Sequence, residues 1–200
     1  MNIAAIILAA GASTRMGQSK QLLAVNGRPL LLHTLDVISQ TDLNPVVTVL
    51  GANHQAHQEL VKDSNAGIVI NSNWQSGMGS SLKTGLNHLL TQAPSTDAVI
   101  MLVCDQPGIT PDHLQALAQK YRAGKSPIVA SWYANTAGVP ALFDKTMFPE
   151  LLRLDDSQGA QKIIQKHAYI LSVVDFPGGA IDLDTPEEYD QYIKTKKPSP

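Results

Sequence analysis

Two cations and two glycines stand close together near the start of this 200-residue chain: Gly11, Arg15, Gly17 and Lys20. Small residues let backbone N–H groups approach an anion. Arg15 offers a planar fork of donors and Lys20 a mobile point charge, and both suit phosphate oxygens. The group follows Ala4 to Ala10, an apolar run of strand length, so a strand, a turn and two cations would form a phosphate cradle. It matches neither common phosphate motif. Five residues separate Gly11 from Gly17 and Lys20 is followed by Gln21, whereas a P-loop needs four and then Lys-Ser/Thr. The G-x-G-x-x-G fingerprint is absent as well. The competing reading is an ordinary strand-to-helix turn with solvated charges; it serves Gly11 alone better than it serves the whole group.

Three carboxylates are the next candidates. Asp105 follows the wholly apolar Ala98 to Val103 and is either a metal ligand at the end of a strand or a helix cap. Thr110, ahead of Pro111 and Asp112, already fills the cap role. A hard carboxylate suits Mg²⁺, which takes one or two such ligands plus substrate phosphates. Asp182 follows an extended piece and precedes a helix, which makes it the favoured second ligand, with Asp184 its competitor. The stretch Gly77-Met78-Gly79-Ser80-Ser81-Leu82-Lys83 would let backbone approach a flat base; a flexible loop with Ser80 or Ser81 as helix cap is the plainer reading. Gly138-Val139-Pro140 is a wall for a second substrate or a simple turn. His54 and His57 share a helix face, but nothing completes a zinc site, and the histidines read as structural. Cys104 reads as a small buried residue.

The elements that must position these groups alternate. Strands are expected at Ala4–Ala10, Val46–Leu50, Ile68–Ile70, Ala98–Val103, Ile128–Trp132 and Tyr169–Val174, with a short extended piece at Gln21–Val25. Helices are expected from Pro29, over His54–Lys62, from Ser80 or Ser81, from Pro111, and around Met147–Leu154 and Gln158–His167. Asn135 to Pro140 reads as a loop. Thr185-Pro186-Glu187-Glu188 reads as a capping box opening a last helix, and the chain is expected to fray from Lys194. Such alternation predicts a mainly parallel sheet in a three-layer α/β/α domain. Its ligands would lie outside the carboxyl ends of the strands, where Gly11 and Asp105 share a rim.

Composition narrows the partners. Net charge is −2 with no basic block, which disfavours nucleic acid and anionic membrane. A single cysteine fits a reducing, cytoplasmic compartment, and the apolar start reads as a first strand and not as a signal peptide.

Taken together, LAAGASTRMGQSK, QSGMGSSLKTGL, VCDQP, GVPALF and DLDTPEEY resemble, in order, the MobA-like nucleotidyltransferases, and most closely their molybdenum cofactor cytidylyltransferase branch. The resemblance spans Ile6 to about Tyr189. It implies one Rossmann-like nucleotidyltransferase domain over 1–194, of the nucleotide-diphospho-sugar transferase type, with a polar tail at 195–200. It also implies a nucleotide held by Leu8, Ala9, Ala10, Gly11, Arg15, Lys20, Gly77, Ser80 and Ser81. Arg15, Lys20 and Asp105 would be catalytic, and Asp105 and Asp182 would hold Mg²⁺. The implied reaction is attack by the terminal phosphate of molybdopterin cofactor on the α-phosphate of CTP, releasing pyrophosphate. A molybdoenzyme or its chaperone would receive the product. Relatives often carry Gly-His-Pro where this chain has Gly138-Val139-Pro140, a departure that bears on the acceptor. Rival readings are GTP-dependent guanylyl transfer or transfer to another phosphorylated acceptor, a nicotinamide dehydrogenase, and a nucleotide-binding regulatory domain.

Overall fold

The computed structural model describes residues 1–124 and 126–196. In chain order it contains β1 (Ile3–Ala9), β2 (Ala24–Val25), β3 (Arg28–Pro29), α1 (Leu30–Ser39), β4 (Val46–Leu50), α2 (His54–Val61), β5 (Gly67–Ile70), α3 (Met78–Gln92) and β6 (Ala98–Val103). Then follow α4 (Pro111–Ala123), β7 (Ile128–Tyr133), β8 (Thr136–Asp144), α5 (Phe148–Leu151), α6 (Ala160–Lys166), β9 (Ser172–Asp175) and α7 (Pro186–Lys196).

Seven strands form one sheet in the order β5-β4-β1-β6-β8-β7-β9. All neighbours pair in parallel except β8, which is antiparallel to β6 and β7. Alternation along β1 feeds two cores. Ile3, Ala5, Ile7 and Ala9 pack with Leu31, Leu35 and Ile38 of α1 and Leu114 and Leu117 of α4. Ala4, Ile6 and Ala10 pack with Leu82, Leu86 and Leu89 of α3 and with Ile163 and Ile164 of α6. A strand covered on both faces is near-continuously apolar, which is why β1 and β6 read as uninterrupted hydrophobic runs. From β1 the chain runs outward to β4 and β5, then returns to add β6 on the other side. The switch point therefore lies between β1 and β6, where such sheets bind ligands.

Several local expectations change. Lys20–Leu22 is a 3₁₀ turn, and only Ala24–Val25 is extended, paired with β3 across Asn26-Gly27. Both turn residues have positive φ, +53° and +77°, the backbone for which tight hairpins select Asn-Gly. Pro29 precedes the first turn of α1. Asn135 to Pro140 is not a loop: β8 begins at Thr136, and the turn is only Ala134-Asn135. A register shift opposite, between Ala130 and Ser131, accommodates Pro140, which has no N–H for a regular ladder. The last strand begins at Ser172, later than expected. α7 opens with the expected box, Glu188 N donating to Thr185 Oγ1 and Thr185 N to Glu188 Oε2. It continues through Lys196, past the start of the expected frayed tail; 197–200 lie outside the described residues. No helix among the described residues is long and apolar enough to cross a membrane.

Candidate active site

After β1 the chain leaves the sheet as a loop anchored by Met16, 3% exposed, and returns through the 3₁₀ turn at Lys20. Lys20 points back over the end of β6. Its Nζ lies 2.7 Å from Asp105 Oδ2 and 2.6 Å from Asp184 Oδ1. Arg15 reaches the other oxygen of Asp184 at 2.7 Å. The two cations differ in setting: the Lys20 side chain is 15% exposed and that of Arg15 69%. Burial works against the Lys20 ammonium, but the charge of Asp105 and hydrogen bonds to Asp105 and Asp184 outweigh it and raise its pKa.

The carboxylates arrive from the far end of the sequence. Leu183 N donates to the carbonyl of Asp105 at 3.0 Å, and the Leu183 side chain is buried with Val25, Leu30 and Tyr192. Burying a leucine contributes about 1.5–3 kcal/mol, so Leu183 pins the segment while its neighbours Asp182 and Asp184 stay at the site. Their environments diverge. Burial pushes Asp184 up, but hydrogen bonding to Lys20 and the charges of Lys20 and Arg15 hold it below the usual carboxylate range. Asp182 is raised to about 6, by desolvation first and then by the like charges of Asp105 and Asp184. Asp182 keeps open surface even so. Next to Asp105 in the chain, burial and the Asp105 charge push the Cys104 thiol up to about 12, which rules it out as a thiolate nucleophile near neutrality.

The expected helix caps at Ser80 and Ser81 are corrected. Helix α3 already begins at Met78, and its cap is Gly77 at φ +125°. A Cβ on Gly77 or Gly79 would come within 2.4 or 2.3 Å of the carbonyl oxygens of Asp156 and Asp155. These two glycines therefore let the helix start cross the turn at 155–157. Ser80 and Ser81 lie inside the first turn, buried, and both hydroxyls accept from Asn71 Nδ2 at 3.0 Å.

One cavity of about 490 Å³ brings together Leu8, Ala9, Ala10, Gly11, Arg15, Lys20, Gly77, Ser81, Asp105 and Asp184. Of the expected nucleotide set only Ser80 is missing from its lining, because its hydroxyl is turned to Asn71 and to the Asn73 carbonyl. A smaller cavity of about 220 Å³ adjoins it, shares Leu8, Met78, Val103, Asp105 and Asp184, and adds Asp182, Gln106, Tyr133, Val139 and Gln161. Val139 thus does form part of a wall. Asp105 and Asp184 stand where the two cavities meet, and Asp182 lines the smaller one.

These oxygens suit a hard divalent cation, and the like-charge crowding that raises Asp182 is what such an ion would relieve. Asp184 is paired with both Lys20 and Arg15, and Asp105 with Lys20. Among the described residues no three His, Cys, Asp or Glu side chains form a ready cage.

Sequence reasoning missed the residues that brace the site. Gln21 is 3% exposed and donates to the carbonyls of Ala9 and Gly11. Asn71 organises the two serines. Tyr133 packs so closely on Gly138 that a Cβ there would meet its hydroxyl at 2.4 Å. The available signal was Gln21 itself, an amide at the position where a P-loop carries Ser or Thr.

Known proteins resemble this chain over most of its length. The family model described as "MobA-like NTP transferase domain" matches residues 5–170. The chain is 28% identical over 196 residues to purine catabolism protein PucB of Bacillus subtilis, covering 92% of this chain and 93% of the relative. It is 27% identical to nicotine blue oxidoreductase of Paenarthrobacter nicotinovorans, covering 93% and 94%. It is 28% identical to molybdenum cofactor guanylyltransferase of Vibrio atlanticus, covering 94% and 93%. Among solved structures, Rv0371c of Mycobacterium tuberculosis superposes with a TM-score of 0.84 at 26% identity, covering 97% of this chain and 98% of that one. The same protein in complex with manganese gives 0.82 at 25% identity, covering 98% and 100%. With the match spanning most of the chain and the cation–carboxylate constellation in place, this chain belongs to the MobA-like NTP transferase family.

Proposed function

We propose that this protein transfers CMP from CTP to the terminal phosphate of molybdopterin cofactor and releases pyrophosphate. The observation that carries this reading is Lys20, held 2.7 Å from Asp105 and 2.6 Å from Asp184 at the switch point of the sheet. A polyphosphate entering the larger cavity would take over the cations that the carboxylates now hold. The acceptor would enter from the Asp182 side, against Val139 and Tyr133.

An oxygen of the acceptor phosphate forms a bond to the α-phosphorus of the NTP. The bond from that phosphorus to the bridging oxygen breaks, and the bridging oxygen leaves with its electron pair on pyrophosphate. A phosphate oxygen is already anionic at neutral pH, so neither Ser nor Cys is needed as nucleophile. The protein's work is alignment and charge neutralisation. Lys20 and Arg15 would offset charge on the departing pyrophosphate. Asp105 and Asp182 would hold Mg²⁺, which when bound neutralises polyphosphate charge.

For the base, the reading rests on α3. Asn71 donates to both serine oxygens, which leaves the Ser81 proton available to the cavity, where it would meet an acceptor on the cytosine edge. The close-packed Gly77 start would restrict room for a purine. The guanylyltransferase relatives make GTP the competing donor. The test is kcat/KM for CTP and GTP with the same acceptor and Mg²⁺. A higher value for CTP is expected; a higher value for GTP would overturn cytidylyl transfer and leave nucleotidyl transfer standing.

The likeness to nicotine blue oxidoreductase supplies a second reading, a redox enzyme in the same fold. Pyrophosphate release, followed beside oxidation of reduced nicotinamide, separates the two.

A further inference from the structure

Behind the cation loop lies a chain of side-chain hydrogen bonds that the proposed chemistry does not use. Gln21 donates from Nε2 to Ala9 O at 2.9 Å and Gly11 O at 3.1 Å. Its Oε1 accepts from Ser19 Oγ at 2.7 Å and Ser13 Oγ at 3.4 Å. Ser13 Oγ in turn accepts from Lys20 N at 3.1 Å. Ser13 holds a left-handed backbone, φ +56°, a conformation that costs a non-glycine residue energy and persists only where its surroundings impose it.

The chain ends on a residue from outside the loop. His57, on α2 and 0% exposed, places Nε2 2.6 Å from Ser19 Oγ. Proton accounting fixes the roles. The amide oxygen of Gln21 can only accept, so the single Ser19 proton goes to it. Ser19 oxygen must then receive a proton, and His57 Nε2 must carry one. The other ring nitrogen, Nδ1, is a buried lone pair with no partner among the described residues. Burial first, then the charge of His54, lowers the His57 pKa, so the ring remains a neutral, one-sided donor.

We propose that His57 is a positioning residue: through Ser19 and Gln21 it presets the loop bearing Arg15 and Lys20 for a triphosphate. The inference rests on the reading of that loop as a polyphosphate cradle. The bond from Gln21 to Ala9 ties the loop to the end of β1, the bond from His57 to Ser19 ties it to helix α2, and the remaining bonds link these two anchors through the loop itself. The loop would otherwise have to be ordered by the ligand, and that ordering would be deducted from affinity.

The test is binding of CTP and, to remove the base, of inorganic tripolyphosphate, both with Mg²⁺, to wild type, Ser19→Ala, His57→Leu, His57→Gln and the Ser19→Ala/His57→Leu pair. Ser19→Ala and His57→Leu should each raise Kd for both probes by about threefold to tenfold, the range of one net hydrogen bond. The melting temperature of Ser19→Ala should stay close to wild type. His57→Gln keeps an N–H within reach and should recover most of the affinity. The double variant should be no weaker than the weaker single one, because both cut the same link. Unchanged Kd in Ser19→Ala and His57→Leu would overturn the inference alone, as would loss of affinity in His57→Gln equal to that in His57→Leu. Wild-type protein that binds neither CTP, GTP nor tripolyphosphate would overturn the cradle reading, and the inference with it.

Discussion

On the β1 side of the site, positive charge is carried by a loop that buries almost no apolar surface beyond Met16 and is fastened by hydrogen bonds from Gln21, Ser13, Ser19 and His57. On the opposite side, Asp182 and Asp184 are carried by a segment fastened by one buried leucine, one backbone bond to Asp105 and the capping box of α7. Directional bonds fix where backbone and cations point. A hydrophobic anchor fixes only where the segment lies, and leaves the flanking carboxylates to be sorted by charge. That sorting separates two aspartates two residues apart: Asp184 is lowered by Lys20 and Arg15, while Asp182 is raised to about 6.

The largest effect is expected at the point both sides share. Asp105→Ala should lower pyrophosphate release by at least about 10²–10³-fold, the scale for removing one preorganised electrostatic partner at a reacting centre. The fold should survive, because Asp105 stands beyond the end of β6 and not inside either core. Near-wild-type, metal-dependent turnover in this variant would remove Asp105 from the site.

Within the cation loop, Lys20→Ala should be more damaging than Arg15→Ala. Lys20 is shielded and contacts two carboxylates, whereas Arg15 is largely exposed and contacts one. A charge-assisted contact contributes roughly 1.5–3 kcal/mol, so kcat/KM for the NTP should fall about 10–100-fold for Lys20→Ala and by less for Arg15→Ala. Equal effects would show that burial does not distinguish the two cations.

The smallest effect sharpens the comparison most, because the two aspartates should respond with opposite signs. Asp182 holds its proton to about pH 6 when folded, against a reference value of 3.8. Its contribution to stability is therefore full below the unfolded value and is lost as pH rises through about 6. In metal-free, nucleotide-free protein, Asp182→Asn should melt higher than wild type at about pH 7, with the gap closing toward about pH 4. Asp184 is lowered, so it stabilises above its unfolded pKa and loses that contribution as pH falls through the folded value. Asp184→Asn should accordingly melt lower than wild type near neutrality. Thermal melts across this pH range decide it; the same sign for both variants would contradict the charge sorting described here.

Much of this was legible in the chain. The apolar runs of β1 and β6, and that of β4 with its one buried polar residue Thr48, specify strands buried on both faces, because such strands are near-continuously hydrophobic. Thr110-Pro111 and Thr185-Pro186 mark helix starts through local bonding alone. Gly11 and Asp105, each just past a buried strand, share a rim by the geometry of parallel sheets. Local signals failed where long-range packing overrode them. Ser80 and Ser81 look like caps, but α3 starts earlier because Gly77 and Gly79 fit against the 155–157 turn. Asn135 to Pro140 looks like a loop, yet Thr136, Ala137 and Gly138 pair with Tyr133, Trp132 and Ser131 of β7 across the Ala134-Asn135 turn.

Sequence alone therefore determined the residue types and the rim: cations after β1, carboxylates after β6 and before α7, and an alternating α/β order, all consequences of periodicity and local capping. Only the tertiary structure decided which carboxylate meets which cation and that His57 reaches Ser19. Those outcomes depend on how segments as distant as Arg15 and Asp184 are brought together by burial of Leu183, and no local pattern encodes a contact of that range.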